Sequence, residues 1–270
     1  MARLSPSLSK SFRSSNAVTA QGGHAPPADV ARDLLAEAES RGLMLRLGGS
    51  LAVRGHCAGT ARLLEAWGRE APADIDFFGY HAEHRELERL FEDLEYRLDP
   101  AIAHSREYGV NRLLYHRADG LKVDIFLDVL RMAHSIDLKD RLPIASPTLS
   151  VADLALTKLQ IHEFTAKDVK DLAALLSQHE LSDAQEPESI EVPRLVRVLA
   201  RDWGFWCTAT TNLETVGEFL AEKGGARSRV DQLREHIDSA AKTTKWRMRA
   251  RIGTRAQWYA DVDPVEQGGF

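Results

Sequence analysis

The chain has 270 residues, a formal net charge of -5, 44% hydrophobic residues and 28% charged ones. That length suits one large domain or two small ones, and the charge excludes wholesale coating of polyanions while leaving local patches open. Two cysteines, Cys57 and Cys207, give neither a disulfide framework nor metal-ligand spacing, which fits a reducing cytoplasm; no apolar run reaches the length of a membrane span.

The first 29 residues are rich in Ser, Gly, Pro and Arg and lack the apolar run of a secretory signal. They read as a disordered tail, although a Ser/Arg-rich, acid-poor start also matches an organelle transit peptide. From Val30 to Ser40, Val30, Leu34, Leu35 and Ala38 share a helical face, and Gly42 supplies the stop. Leu43–Leu47 reads as a short buried strand, followed by Gly48-Gly49-Ser50 and a helical pattern. Ala73–Phe78 is a second strand, and Arg85–Leu94 an amphipathic helix. Asn111–His116 and Leu121–Leu127 alternate around Asp119-Gly120, a hairpin signal.

Pro143 and Pro147 mark a break, after which the pattern is helical. Ser150 and Thr165 are positioned as helix N-caps, and Asp183–Pro193 reads as a loop. Further helices are expected around Leu195–Leu199, Leu213–Leu220 and Val230–Ile237, with Asp202–Trp206 as a core cluster. The expected organisation is a tail over 1–29, an α/β (α+β) domain over 30–145 with a small mixed sheet and flanking helices, and a mainly helical domain over 146–270.

Three carboxylates stand out. Asp74 and Asp76 project from the same strand face, with Ile75 and Phe77 turned to the core. A neighbouring strand carries Asp124. Such a cluster repels itself unless it holds cations, and its oxygen ligands suit Mg²⁺ or Mn²⁺ with substrate phosphates. Gly48, Gly49 and Ser50 precede a helix, where backbone can approach a phosphate and free N–H groups await it. Each signal alone has a plain reading, a tight turn or exposed strand-end acids; their order makes them reinforce one another. Asp128 reads as a strand-end charge.

Gly-Gly-Ser, then Asp-x-Asp, then a later strand Asp resembles the nucleotidyltransferase superfamily related to DNA polymerase β over about Leu43–Val129. The stretch between Ser50 and Asp74 is longer than in compact members, so an extra helix or lid must be accommodated. The resemblance implies a small mixed nucleotidyltransferase sheet and transfer of an NMP from an NTP to a hydroxyl. Two metal ions about 3.5–4 Å apart serve such a reaction. Asp74, Asp76 and Asp124 would be the catalytic and metal-binding residues, with Gly48, Gly49 and Ser50 at the nucleotide.

Leu154–Gln160 followed by Ala166–Leu172 looks like the Lys and Lys-Asp motifs of AbiEii-like toxin nucleotidyltransferases. That resemblance implies that Lys158 contacts triphosphate oxygens and that Asp168 lies nearby, with Asp171 as runner-up; both also read as surface helix charges. It implies a toxin-type enzyme with RNA or tRNA as acceptor and an antitoxin as partner. A protein side chain, a small-molecule (antibiotic) acceptor and a catalytically inactive nucleotide- or partner-binding module are the alternatives.

Lys242 to Arg255 is basic and free of acids. Arg247, Arg249 and Arg251 alternate, so a strand would line them on one face. With Lys245 and the nearby Trp246, Trp258 and Tyr259 they suit nucleic-acid contacts; a solvated edge strand or helix whose Trp packs on the core is the equal alternative. The histidines show no zinc spacing and read as structural or surface groups. No P-loop is present.

Overall fold

The computed structural model describes residues 25–100, 111–223 and 225–262. The expected tail lies, up to residue 24, outside the described residues, as does His104.

Helix α1 (Pro27–Ser40) begins with Pro27 in its first turn, where the fixed proline φ is pre-organised and the missing N–H costs nothing. It buries Val30, Ala31, Leu34 and Ala38. Strand β1 (Leu45–Leu47) runs into α2 (Gly49–His56). A 3₁₀ turn at Ala58–Thr60 and α3 (Ala61–Ala66) occupy the long stretch before β2 (Ile75–Gly79). Then come α4 (His84–Asp93), β3 (Arg97–Leu98), β4 (Arg112–His116) and β5 (Lys122–Leu127).

These strands form one five-stranded sheet in the order β1-β2-β5-β4-β3. Only β2 and β5 are parallel, and they need the long crossover through α4 and β3–β4 to lie side by side. The fold is therefore mixed α+β. Alternation sets the two faces: Ile75, Phe77, Val123 and Ile125 are fully buried on one of them. There α4 packs through Leu87, Leu90 and Phe91, with Phe91 stacked on Tyr115 at 4.6 Å. Asp76 and Asp124 belong to the opposite face.

Hairpin β6 (Val129–Arg131)–β7 (Ser135–Asp137) leads to α5 (Val151–Leu159) and α6 (Ala166–Gln178). A two-residue bridge, β8 (Leu181–Ser182) with β9 (Ile190–Glu191), precedes α7 (Val192–Leu199), α8 (Trp203–Glu222), α9 (Arg227–Ser239) and α10 (Thr244–Ile252). Ser150 caps α5 as expected, accepting from the Asp153 N–H. Pro193 opens α7 instead of closing a loop. Asp202 caps α8 at the Phe205 N–H, so the aromatic cluster starts that helix ten residues before the expected span. No helix among the described residues is long and apolar enough to cross a membrane.

The strand in which Arg247, Arg249 and Arg251 would share a face is not formed. Thr243 Oγ1 accepts from the Trp246 N–H and starts α10 through residues of good helix propensity. Arg247, Arg249 and Arg251 thus step around a helix by about 200° each instead of lining one face.

The apolar core is continuous across the Ala145–Ser146 junction. Pro147–Leu149 joins β1 by hydrogen bonds from Leu47 N–H to Pro147 O and from Leu149 N–H to Leu47 O. A buried ionic network fixes the start of α5. Asp153, fully buried, accepts from Arg141 Nε at 2.8 Å, Arg194 Nε at 3.0 Å and Ser150 Oγ at 2.7 Å. Arg141 also reaches Glu191 at 2.7 Å.

Candidate active site

A cleft of about 480 Å³ opens between the polar face of the sheet and helices α5 and α6. It is lined on one side by Asp74, Asp76 and Asp124, and on the other by Ser50, Arg69, Lys158 and Asp168. Tyr259, stacked on His162 at 3.5 Å, forms a further wall.

The register explains the acidic side. Asp76 and Asp124 are direct partners across the parallel β2–β5 pair, so their side chains emerge at the same level on neighbouring strands about 4.8 Å apart. Asp74 precedes β2 by one residue and turns into the same cleft. The glycine turn packs against this wall. Gly48 N–H donates to the Asp76 carbonyl at 2.8 Å. Gly49 has φ +57°, and a Cβ there would stand 1.8 Å from Asp76 Oδ2; a Cβ on Gly48 would meet the Phe78 ring at 2.2 Å. Both glycines are required so that the first turn of α2 can lie directly on the Asp76 side chain.

Asp74 and Asp76 make no ion pair among the described residues. Burial and the neighbouring charges of Asp74 and Asp124 push the Asp76 carboxyl up to about 7. Asp124 is held by Arg112: Nε donates to Oδ1 at 2.8 Å and Nη2 to Oδ2. Burial nevertheless leaves the Asp124 carboxyl above its ordinary range, with Arg112 opposing and Asp74 adding to the rise. One guanidinium against three carboxylates leaves this wall short of positive charge.

The opposite wall is balanced. Lys158 Nζ lies 3.0 Å from both Asp168 Oδ1 and Asp171 Oδ2. Arg69 Nε pairs with Asp171 Oδ1 at 2.7 Å, and Ser50 Oγ donates to Asp171 Oδ2 at 2.6 Å while accepting from Arg69 Nη2 at 2.7 Å. Burial works against the Lys158 ammonium, but Asp171 and Asp168 outweigh it and raise its pKa. Burial likewise opposes ionisation of Asp168 and Asp171, and Lys158 keeps both below the usual carboxylate range. Asp168 also accepts from Thr165 Oγ1 and N–H in the capping box of α6. Asp171 is therefore as close a partner of Lys158 as Asp168 is.

No known family profile matches this chain, and no curated protein matches it. A solved structure similar to it is the solution structure of the antibiotic-resistance factor ANT(2'')-Ia, at 16% identity and a TM-score of 0.37 over 54% of this chain and 80% of that one. So slight a likeness carries no argument about what this chain does.

The remaining expected residues lie elsewhere or act differently. Asp128 has φ +58° at the turn between β5 and β6, and its Oδ1 accepts from the His81 N–H. It ends the strand. Arg249 is spent on structure: it donates to the carbonyls of Gly253, Ala256 and Gln257 and lies over the Trp203 ring at 4.8 Å. Lys245, Arg247 and Arg251 are exposed on α10. Two residues of the site went unread in the sequence. Arg112 was within reach, since counting back from the Asp119-Gly120 turn puts it diagonal to Asp124. Arg69 sits after α3 in a stretch without periodicity, and nothing local marks it.

Proposed function

We propose that this chain is a metal-dependent nucleotidyltransferase that moves an NMP from an NTP to a hydroxyl acceptor. The observation that carries the reading is the pairing of Asp76 with Asp124 in register, beside Asp74, on a wall to which the Gly48–Ser50 turn is fitted. The uncompensated charge of that wall and its all-oxygen donors fit Mg²⁺ or Mn²⁺, which a few carboxylates and substrate phosphates hold together. Asp74, Asp76 and Asp124 would hold the ions, which supply neutralisation of triphosphate charge and acidify the attacking hydroxyl.

The chain's own groups do the rest. The N–H groups at the start of α2 bind phosphate oxygens, beside the Ser50 hydroxyl, whose hydrogen goes to Asp171. Lys158, which donates to Asp168 and Asp171 and lies 3.4 Å from Ser50 Oγ, presents its positive charge to the triphosphate. Asp124 faces the acceptor and takes its proton. Arg112 favours the ionised form of Asp124 for that task, against its burial. Removing the guanidinium lifts the Asp124 pKa further, because the group that favours its charged form is gone. Arg112→Gln is therefore expected to move the acidic limb of the pH–rate profile to higher pH. An unshifted limb would show that Asp124 is not the titrating base.

The acceptor we favour is an RNA end, such as that of a tRNA. Exposed Lys245, Arg247 and Arg251 lie on α10, and the segment that follows it supplies Tyr259, Ala260, Asp261 and Val262 to the cleft. Replacing these three cations with alanine is expected to weaken RNA binding at least tenfold and to flatten its salt dependence. Unchanged binding in filter retention assays returns α10 to a purely structural role.

The function itself is tested by offering each of the four α-labelled NTPs with Mg²⁺ to total RNA, total protein and aminoglycosides. Label in RNA supports the full reading, and label in either other pool keeps the reaction and replaces the acceptor. One observation favours a second reading: the Arg112–Asp124 pair already satisfies the third carboxylate, as a module that binds nucleotide without turnover would allow. NTP binding with no transfer to any pool identifies that module.

A further inference from the structure

Three side chains distant in sequence meet at the far end of α2 from Ser50. His56 ends α2, His179 follows α6, and Glu188 lies in the loop before β9. One ring nitrogen of each histidine and a Glu188 oxygen lie within 4.8 Å of one another. Both histidines are buried, at 5% and 6% exposure, and their rings meet edge to face at 5.8 Å.

Hydrogen bonding settles which atoms are free. His179 Nδ1 lies 2.7 Å from the Glu188 carbonyl oxygen, which can only accept, so Nδ1 carries the hydrogen and neutral His179 keeps its lone pair on Nε2. That Nε2 is buried without a partner, and so is Glu188 Oε1. His56 Nε2 lies 2.7 Å from Thr148 Oγ1 and 3.0 Å from the Leu149 carbonyl oxygen. The hydroxyl can donate to it or accept from it, so His56 Nδ1, 3.0 Å from Glu188 Oε2, is either an N–H donor to that carboxylate or, with the hydrogen on Nε2, a lone pair open to a cation. In either tautomer His179 Nε2 and Glu188 Oε1 are buried and unpaired, each costing about 1–3 kcal/mol. A metal ion among the three side chains gives them a partner.

We propose that His56, His179 and Glu188 form a zinc site separate from the acidic cleft. Two imidazoles and one carboxylate suit Zn²⁺ and disfavour Mg²⁺. Each histidine is steered by a backbone carbonyl on its other nitrogen, as ligating histidines usually are. Donor atoms around tetrahedral zinc stand about 3.3 Å apart, and Glu188, whose side chain is 35% exposed, has the freedom to close the gap. Three protein ligands leave a fourth position for water. The ion would tie the C-terminal ends of α2 and α6 to the loop before β9. The N-terminal halves of those helices carry Ser50, Asp168 and Asp171, so the site braces the cleft from behind.

The test uses the full chain freed of metal with a chelator, then titrated with Co²⁺ and Zn²⁺. The expected result is one equivalent of tightly bound metal, visible d–d bands of tetrahedral intensity with Co²⁺ that Zn²⁺ displaces, and a higher melting temperature with Zn²⁺. His179→Gln and Glu188→Gln are each expected to lose the bands and weaken Zn²⁺ binding about a hundredfold. Glu188→Gln, in a loop and partly exposed, preserves the test if the histidine variant does not fold. Asp74→Asn with Asp76→Asn is expected to keep the bands, which separates this site from the cleft. Absence of the bands, or their loss only in the aspartate variant, overturns the proposal.

Discussion

Asp76→Asn is expected to cut NMP transfer about a thousandfold, close to 4 kcal/mol of barrier at 1.36 kcal/mol per decade, while making the metal-free protein more stable at neutral pH. The two effects share one cause. Asp76 is wedged between Gly49, Asp74 and Asp124, and its carboxyl is raised from 3.8 to about 7. Between those values the folded protein holds a proton that the unfolded chain releases. Stability therefore falls as pH rises from about 4 to about 7, by an amount of the order of a few kcal/mol. Asparagine keeps the shape and removes the charge, so that loss disappears along with the metal ligand. Thermal melts from pH 4 to 8 check it. Wild type should lose stability with rising pH and regain it with Mg²⁺, and the variant should do neither. A melting temperature that falls in Asp76→Asn at pH 7 would mean that the carboxylate is a structural group.

Asp153→Ala should be the most damaging single change to folding, at about 3–5 kcal/mol, or roughly 10 °C in melting temperature for a chain of this size. Asp153 is fully buried and takes hydrogen bonds from Arg141, Arg194 and Ser150. Without it Arg194 loses its carboxylate, Arg141 keeps only Glu191, and two guanidiniums remain in the core. Circular dichroism melts measure this directly. Lys158 lies five residues further along the same helix, so nucleotide affinity is expected to fall as well. A stability loss under 1 kcal/mol would mean that the network is hydrated and the start of α5 is held by apolar packing alone.

The sheet was legible because alternation and the Asp119-Gly120 turn carry it: Ile75 and Phe77 reach the expected face, which Val123 and Ile125 share. The acidic set was legible for the same reason, since period two fixes which side Asp76 and Asp124 share. Charge compensation was legible only at Arg112, through the hairpin register. Arg69 and the Lys158–Asp171 contact depend on how distant elements pack, and periodicity within one element does not report that. The local structure of the basic stretch was not legible for a related reason. Alternating arginines fit a strand, but Thr243 at the N-cap and the helix formers behind it decide the local structure. His56, His179 and Glu188 meet only through the ends of two helices and a loop, so no spacing rule finds them.

The central claim is that Asp74, Asp76 and Asp124 present a divalent cation to a nucleoside triphosphate beside the glycine turn. Isothermal titration with a non-hydrolysable NTP analogue tests it most directly, with and without Mg²⁺, on the wild type and Asp76→Asn. The account expects one site that binds only with Mg²⁺ and disappears in the variant. Binding that survives both the removal of Mg²⁺ and the loss of Asp76, or no binding of any of the four analogues, would contradict it.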